Sequence, residues 1–489
     1  METRYVRWSS NDPADRFSVE NPANGETIAV IQGAGAKEVD AAVTAADVAF
    51  RTDWRNRLPA ERGVLMMEIS RQIRDNLEEI ATLESKENGK PLPQARADVE
   101  ACIATFAYFG GVIGKIPGDF YDNGLLLGAT VREPYGVVGA IIPFNWPPIH
   151  TAGKIAPAIA MGNTVVVKPP EQTPLCILRI IEIIQDVLPP DVVHVVPGYG
   201  PAAGSALASH KLVRKLSFTG STSTGAAVVI ASAPNTTPTL LELGGKNAMM
   251  VFEDADLDMA ARWLVEAGYY NQGEACTAGS RILVHRSLHD ALVARMAPGI
   301  EKLKVGDGME EGVHVGGLVT RAHQQKVLDY IRIGLEEGAT VAAQAKLPPG
   351  PAGERGFFVA PTLLTNVHRH MRIAREEIFG PVICVIPFDS EEEAISIAND
   401  TDYGLTCSIF TENHPRAMRV ARGIDVGMCY VNHYLRRSLG MPFGGAKGSG
   451  YGREHTLETL KEYSRVKLIT MPSGRGDIPH WAAIADVGL

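Results

Sequence analysis

The chain has 489 residues, 45% of them hydrophobic, and a formal net charge of −9. That length exceeds what one core serves, implying two to four domains with ample apolar surface to bury. The charge is modest and spread without long blocks of either sign, which argues against nucleic acid or an anionic membrane as partner and leaves small molecules.

The opening METRYVRWSSNDPADRF has no apolar core flanked by small residues, and the apolar stretch VVGAIIPFNWPP is too short and proline-rich to span a bilayer. A soluble, cytoplasmic protein is expected. Residues 37–110 read mainly as helices, with helical spacing in RGVLMMEISRQIRDNLEEIATL and breakers at Asn88–Gly89 and Pro91. The segment GLLLGATVREPYG (124–136) then alternates like a strand. Short β-branched runs follow at VVGAII (137–142), NTVVVKP (163–169), DVVHVVPG (191–198) and KLSFTG (215–220), separated by helical stretches such as TPLCILRIIEIIQDVL. This rhythm predicts parallel βαβ units and a nucleotide-binding layout.

A second α/β series starts after NAMMVFEDADLD (247–258), with strands RILVH, FFVAPTLL and PVICVIPF and helices LHDALVARM and EEEAISIAN. The segment EYSRVKLITMP (462–472) is again strand-like and, with 124–136, suggests an assembly arm. No role is read for the tail, 473–489. DADLD (254–258) imitates a calcium loop, but Met259 and Val265 stand where glycine and glutamate are required, so it reads as an acidic helix start. No histidine spacing signals a metal. The six cysteines, Cys102, Cys176, Cys276, Cys384, Cys407 and Cys429, lack CxxC or CxxxC spacing, so reduced thiols are expected rather than disulfides or zinc.

Five frames carry chemistry. IIPFNWPP (141–148) offers Asn145 as an amide donor to an oxyanion. VVVKPPEQTP places Lys168 and Glu171 between a strand and a helix, where cofactors bind; a carboxylate at 171 suits ribose hydroxyls and repels a 2′-phosphate, and equally suits a helix's first turn. GSTSTG (220–225) offers N–H groups to a pyrophosphate but lacks the GxGxxG pattern, and a plain tight turn fits as well. LELGGKN (241–247) sets Glu242 after an apolar run, where desolvation favours a general base over a helix-capping or salt-bridged glutamate. NQGEACTAGSRILV (271–284) gives Cys276 small neighbours that let a ligand approach the sulfur, whereas the other five cysteines read as inert.

Taken in order, PFNWP, KPPEQTP, FTGSTSTG, LELGGKN, NQGEACTAGSR, EEIFGPV, NDTDYGL and PFGGAKGSGYGRE resemble the NAD(P)-dependent aldehyde dehydrogenase superfamily over residues 17–472 or so. The resemblance implies an α/β fold: a Rossmann-type NAD-binding domain (1–115 and 137–244), an α/β catalytic domain (245–446) and a β oligomerisation arm (116–136 and 460–472), assembled as a homodimer or homotetramer. It implies that Cys276 attacks an aldehyde, that Asn145 and the Cys276 N–H hold the oxyanion, that Glu242 activates water, and that Lys154 and Glu454 relay protons. The implied cofactor is NAD, with NADP possible. Its contacts would be Ile141, Pro143, Phe144, Lys168, Glu171, Gly204, Phe218, Gly220, Ser221, Leu243, Glu377 and Phe379.

The substrate pocket would comprise Tyr108, Trp146, Thr277, Tyr434, Arg436 and Phe443. Two departures bear on it. The family often has Trp before the oxyanion asparagine and Phe after it, whereas here Phe144 precedes and Trp146 follows. The loop NHYLRRSLGMPFGG, with Arg436 and Arg437, is similar in part to the loop with which muconic-semialdehyde dehydrogenases can meet a substrate carboxylate; an exposed or inter-subunit ion pair is the alternative. An aromatic or a carboxylate-bearing aldehyde is expected. A CoA-acylating enzyme commonly lacks the base, an esterase would leave the cofactor frames idle, and a non-catalytic scaffold would have lost Cys276 or Glu242.

Overall fold

β-Branched runs dictate two largely parallel sheets, seen in a computed structural model that describes residues 16–435, 439–481 and 484. The first sheet runs in the order Gly450–Tyr451, Thr239–Glu242, Val213–Thr219, Val137–Ile141, Thr164–Lys168 and Val193–Val195. Only Gly450–Tyr451 is antiparallel to its neighbour. Because side chains alternate along a strand, Val165 and Val167 enter one core with Ile155 and Ile180, while Val166 enters another with Val39 and Leu216. Burial on both faces is why these runs are continuously apolar.

The strand order reverses at Val137–Ile141. From it the chain steps outward to Thr164–Lys168, then returns to the other side with Val213–Thr219. A crevice therefore opens at the carboxyl ends of these strands, where helices diverge to opposite faces.

The second sheet has the order Thr340–Gln344, Thr362–Thr365, Val382–Phe388, Arg281–His285, Ala248–Val251, Thr406–Phe410 and Met428–Val431. The strand expected over FFVAPTLL is shorter than its apolar run: it begins at Thr362, after Pro361, which has no N–H to give a ladder. Phe357 and Phe358 are buried in the preceding loop instead.

The two strand-like outliers do pair. Leu126–Pro134 lies antiparallel to Ser464–Pro472 over nine positions, with Phe120–Asp122 beyond. The start of the tail is tied to this sheet, Ser473 N–H donating to Leu125 O (2.9 Å). The helical region resolves into Ala36–Thr52, Pro59–Asp75, Leu77–Asn88 and Leu92–Val112, and Gly89, at φ +91°, stops the third. Asp256 caps Leu257–Tyr269 by accepting from the N–H groups of Asp258 and Met259, so DADLD is a helix start. No helix among the described residues is long and apolar enough to cross a membrane.

Asn163 ties the arm's root to the first sheet. Its Oδ1 accepts from Tyr135 N–H (2.7 Å) and Gly136 N–H (3.1 Å), and its Nδ2 donates to Ala158 O (3.0 Å) and Tyr463 O (2.8 Å). Asn163→Ala removes four side-chain bonds to the main chain, of whose acceptors Ala158 O keeps the residue-163 N–H, and is expected to cost about 2–4 kcal/mol. An unfolding temperature equal to the parent's would contradict this.

Candidate active site

A cavity of about 810 Å³ occupies the crevice at the strand-order reversal. Every expected cofactor position lines it: Ile141, Pro143 and Phe144 at the end of one central strand and just beyond, Phe218, Gly220 and Ser221 likewise at the other, then Lys168, Glu171, Gly204, Leu243, Glu377 and Phe379. Ser221 caps the helix Thr222–Ser232, its Oγ accepting from Thr224 N–H (3.2 Å), so GSTSTG is a helix start facing the cavity. Gly225 must lack a side chain, since a Cβ there would stand 2.7 Å from Leu243. Glu171 precedes the helix Leu175–Val187 and is not in its first turn. Its carboxylate meets Lys168 Nζ (3.0 Å) and accepts from Gly200 N–H (2.7 Å). Burial lowers the Lys168 pKa, and Glu171 opposes that shift. Glu377 accepts from Gly245 N–H (2.8 Å), and burial pushes its pKa up to about 7.

Asn145 and Cys276 share this cavity wall. They arrive on loops from different sheets, and hydrogen bonds stitch the loops together. Asn145 Nδ2 donates to Glu274 O (3.0 Å), and Asn271 Nδ2 donates to both Asn145 O (3.1 Å) and Glu274 O (3.1 Å). Buried Lys90 donates to Asn145 O (2.9 Å) while its Nζ is held by Glu84 (2.7 Å) and Asp98 (2.5 Å). Asn88 and Thr173 both donate to Phe144 O, at 3.0 and 3.1 Å. On the other loop, Asn247 Nδ2 donates to Cys276 O (2.8 Å) and Ala278 O (2.9 Å). Cys276 itself is half-buried, and Gly273, at φ +70°, packs against the Gly380 carbonyl.

Glu242 ends the strand Thr239–Glu242 at 2% exposure, and among the described residues neither carboxylate oxygen has a hydrogen-bond partner. Burial pushes its pKa well above the usual range; the Glu454 charge adds to this, and Lys154 and Arg453 oppose it. Lys154 Nζ lies 3.1 Å from Glu454 and 3.0 Å from Ser217 Oγ, all buried. The Glu454 backbone is fixed by a reciprocal pair with Phe443, at 3.0 and 2.8 Å.

The expected pocket residues divide. Trp146 packs with Ile149, Ala275, Ala278 and Cys276, while Thr277 Oγ1 meets the buried Tyr434 hydroxyl at 3.1 Å. Burial raises the Tyr434 pKa. Phe443 meets the His455 ring edge-on at 5.6 Å, and Tyr108 is half-buried beside Gly440. Phe144 points elsewhere: its ring lines the large cavity, edge-on to Phe379 at 5.7 Å, so Phe144 and Trp146 do not form one aromatic wall. Arg436 and Arg437 lie outside the described residues.

Sequence reasoning missed Lys90, Asn247, Glu274 and His323. Lys90 stood beside Gly89 and Pro91, which read only as breakers. The proximity of Glu84 and Asp98 follows from helix packing, not spacing. His323 lines the cavity, with Nε2 2.7 Å from Phe379 O, and burial lowers its pKa to about 4, leaving it neutral near pH 7. Glu274 accepts from Val319 N–H (3.0 Å), and burial raises its pKa to about 8.

The model of the aldehyde dehydrogenase family matches residues 8–469. An aldehyde dehydrogenase of Didymella fabae is 50% identical over 481 residues, covering 98% of this chain and 97% of that protein. Among solved structures, PnpE of Pseudomonas sp. WBC-3, in a complex with nicotinamide adenine dinucleotide, is similar at a TM-score of 0.92 and 42% identity, with 95% of this chain and 96% of that one covered. Betaine aldehyde dehydrogenase of Staphylococcus aureus, in complex with NAD+, is similar at 0.93 and 34% identity, with 98% and 94% covered.

Glu274 sets a pH dependence with a definite sign. Its carboxyl titrates near 4.5 when unfolded and about 8 when folded, so between those values the folded chain holds a proton that the unfolded chain has lost. Stability therefore falls as pH rises through that window. Glu274→Gln cannot titrate, so its unfolding temperature relative to the parent should rise from about pH 5 to about pH 8. A difference independent of pH would contradict the assignment.

Proposed function

Because the chain belongs to the aldehyde dehydrogenase family, we propose that it oxidises an aldehyde to a carboxylic acid with NAD, through a thioester on Cys276. One observation carries this reading: Cys276 and Asn145 share the wall of a dinucleotide-sized cavity, and Glu242 is buried next to Leu243 and Gly244 of that wall.

The residues fit NAD. Lys168 and Glu171 would hold the adenosine ribose, with the Glu171 carboxylate disfavouring a 2′-phosphate. Gly220, Ser221 and the N-terminus of Thr222–Ser232 suit the pyrophosphate. Glu377 and Phe379 would hold the nicotinamide ribose. Bound there, NAD supplies the hydride acceptor that takes the Cys276 thiohemiacetal to a thioester.

The chain's own groups do the rest. Cys276 Sγ attacks the carbonyl carbon, and the developing oxyanion is met by Asn145 Nδ2 and the Cys276 N–H, each such donor contributing about 3 kcal/mol. Glu242 takes a proton from the water that hydrolyses the thioester. Burial makes its carboxylate, when ionised, a stronger proton acceptor, and the Lys154–Glu454 pair offers the proton a next station. Glu242 argues against a CoA-acylating reaction.

On the aldehyde side, Trp146, Tyr434, Phe443 and Tyr108 favour an aromatic substrate. Arg436 supports a second reading, a carboxylate-bearing aldehyde. The strand Ser464–Pro472, with Val466, Leu468, Ile469 and Met471 exposed, suits the arm of a homodimer or homotetramer. Reduced thiols suit the cytoplasm.

Cys276→Ala should abolish NADH formation while calorimetry still detects NAD binding; retained oxidation would remove Cys276 as nucleophile. With matched aliphatic, aromatic and carboxylate-bearing aldehydes, parent and Arg436→Ala should both favour the aromatic one. A preference for the acidic aldehyde that collapses in the variant would instead move specificity to the arginine loop.

A further inference from the structure

Cys407 lies on the strand Thr406–Phe410 and Cys429 on the neighbouring Met428–Val431, and the parallel register sets the two residues directly opposite each other. Their sulfurs are 3.1 Å apart and not bonded. Adjacent strands stand about 4.8 Å apart, within the Cα separation of about 4.4–6.8 Å that a disulfide requires. Closing the sulfurs to about 2.05 Å takes a movement of about 1 Å, within reach of small side-chain rotations. Among the described residues, Met428–Val431 is the last strand of its sheet.

The two thiols are unequal. Cys407 is fully buried and donates its S–H toward Cys429, which is half-buried. That hydrogen bond holds the Cys429 pKa below the ordinary thiol value, while the same contact and burial push Cys407 up. Cys429, the less buried of the two, is thus the sulfur a small oxidant meets first, with Cys407 behind it. Cys102, Cys176 and Cys384 are fully buried, and burial raises all three.

We propose that Cys407 and Cys429 form a thiol centre distinct from Cys276, at which a hydroperoxide converts both thiols to a cross-strand disulfide. The Cys429 sulfur attacks the peroxide oxygen; the O–O bond breaks, leaving a sulfenic acid and releasing an alcohol, or water from hydrogen peroxide. The Cys407 sulfur then displaces the hydroxyl as water and the S–S bond forms. Two thiols lose two electrons and two protons, and the peroxide takes up both.

The centre lies behind the catalytic loop on two sides. Thr406 N–H donates to Asn247 Oδ1 (3.0 Å), and Asn247 holds the Cys276 carbonyl. The strand Met428–Val431 continues toward Tyr434, whose hydroxyl meets Thr277.

The test is stoichiometric hydrogen peroxide on the full chain and on Cys276→Ser, in which the catalytic thiol cannot consume the oxidant, followed by alkylation and digestion without reduction. The expected product in both is a peptide pair joining Cys407 to Cys429, lighter by two hydrogens, separated by reductant and lost in Cys429→Ser. Alkylation of both cysteines as free thiols after the peroxide is spent would overturn the proposal. So would over-oxidation of Cys429 with Cys407 left free, or a link from Cys429 to any other cysteine.

Discussion

The site depends on one set of hydrogen bonds, those that join the Phe144–Asn145 loop of the first sheet to the Glu274–Cys276 loop of the second. Asn145 donates across the gap to Glu274 O, and Asn271 returns one bond to Asn145 O while bracing Glu274 O on its own loop. Behind them Lys90 grips the Asn145 carbonyl with its charge shared between Glu84 and Asp98. Burying such a group is costly, and removing one member leaves a charge uncompensated by about 3–5 kcal/mol. What the arrangement secures is position: the amide of Asn145 is held at both its main chain and its side chain.

Three buried carboxyls near the cavity are all pushed up by desolvation, and their partners separate them. Glu377 accepts from Gly245 N–H and Glu274 from Val319 N–H, so each is occupied by the main chain. Glu242 has no such partner among the described residues and instead feels Lys154 and Arg453. A carboxyl so placed, beside glycines and not bonded to the chain, has the capacity to bond a reacting water.

Much of this was legible in the residues. Continuous β-branched runs announced buried parallel strands, the frames around Asn145, Glu242 and Cys276 marked residues that the fold brings to or beside one cavity, and the outlying strands 124–136 and 462–472 do pair. What escaped depends on contacts between distant segments. Lys90 meets Asn145 only because helices fold against the first sheet, and Cys407 meets Cys429 only through strand register. Phe144 and Trp146, two residues apart, point into different surroundings because the helix Pro147–Ala160 begins just after them. FFVAPTLL looked like one strand, yet Pro361 divides it.

The division of labour between thiol and carboxyl is the central claim, and the intact mass of Glu242→Gln during turnover tests it most directly. Mixed with NAD and an aldehyde that the parent oxidises, the variant should release one equivalent of NADH quickly, then slow by about 10²–10⁴-fold with an acyl group retained on Cys276. Parental steady-state turnover with no accumulated adduct would contradict the account.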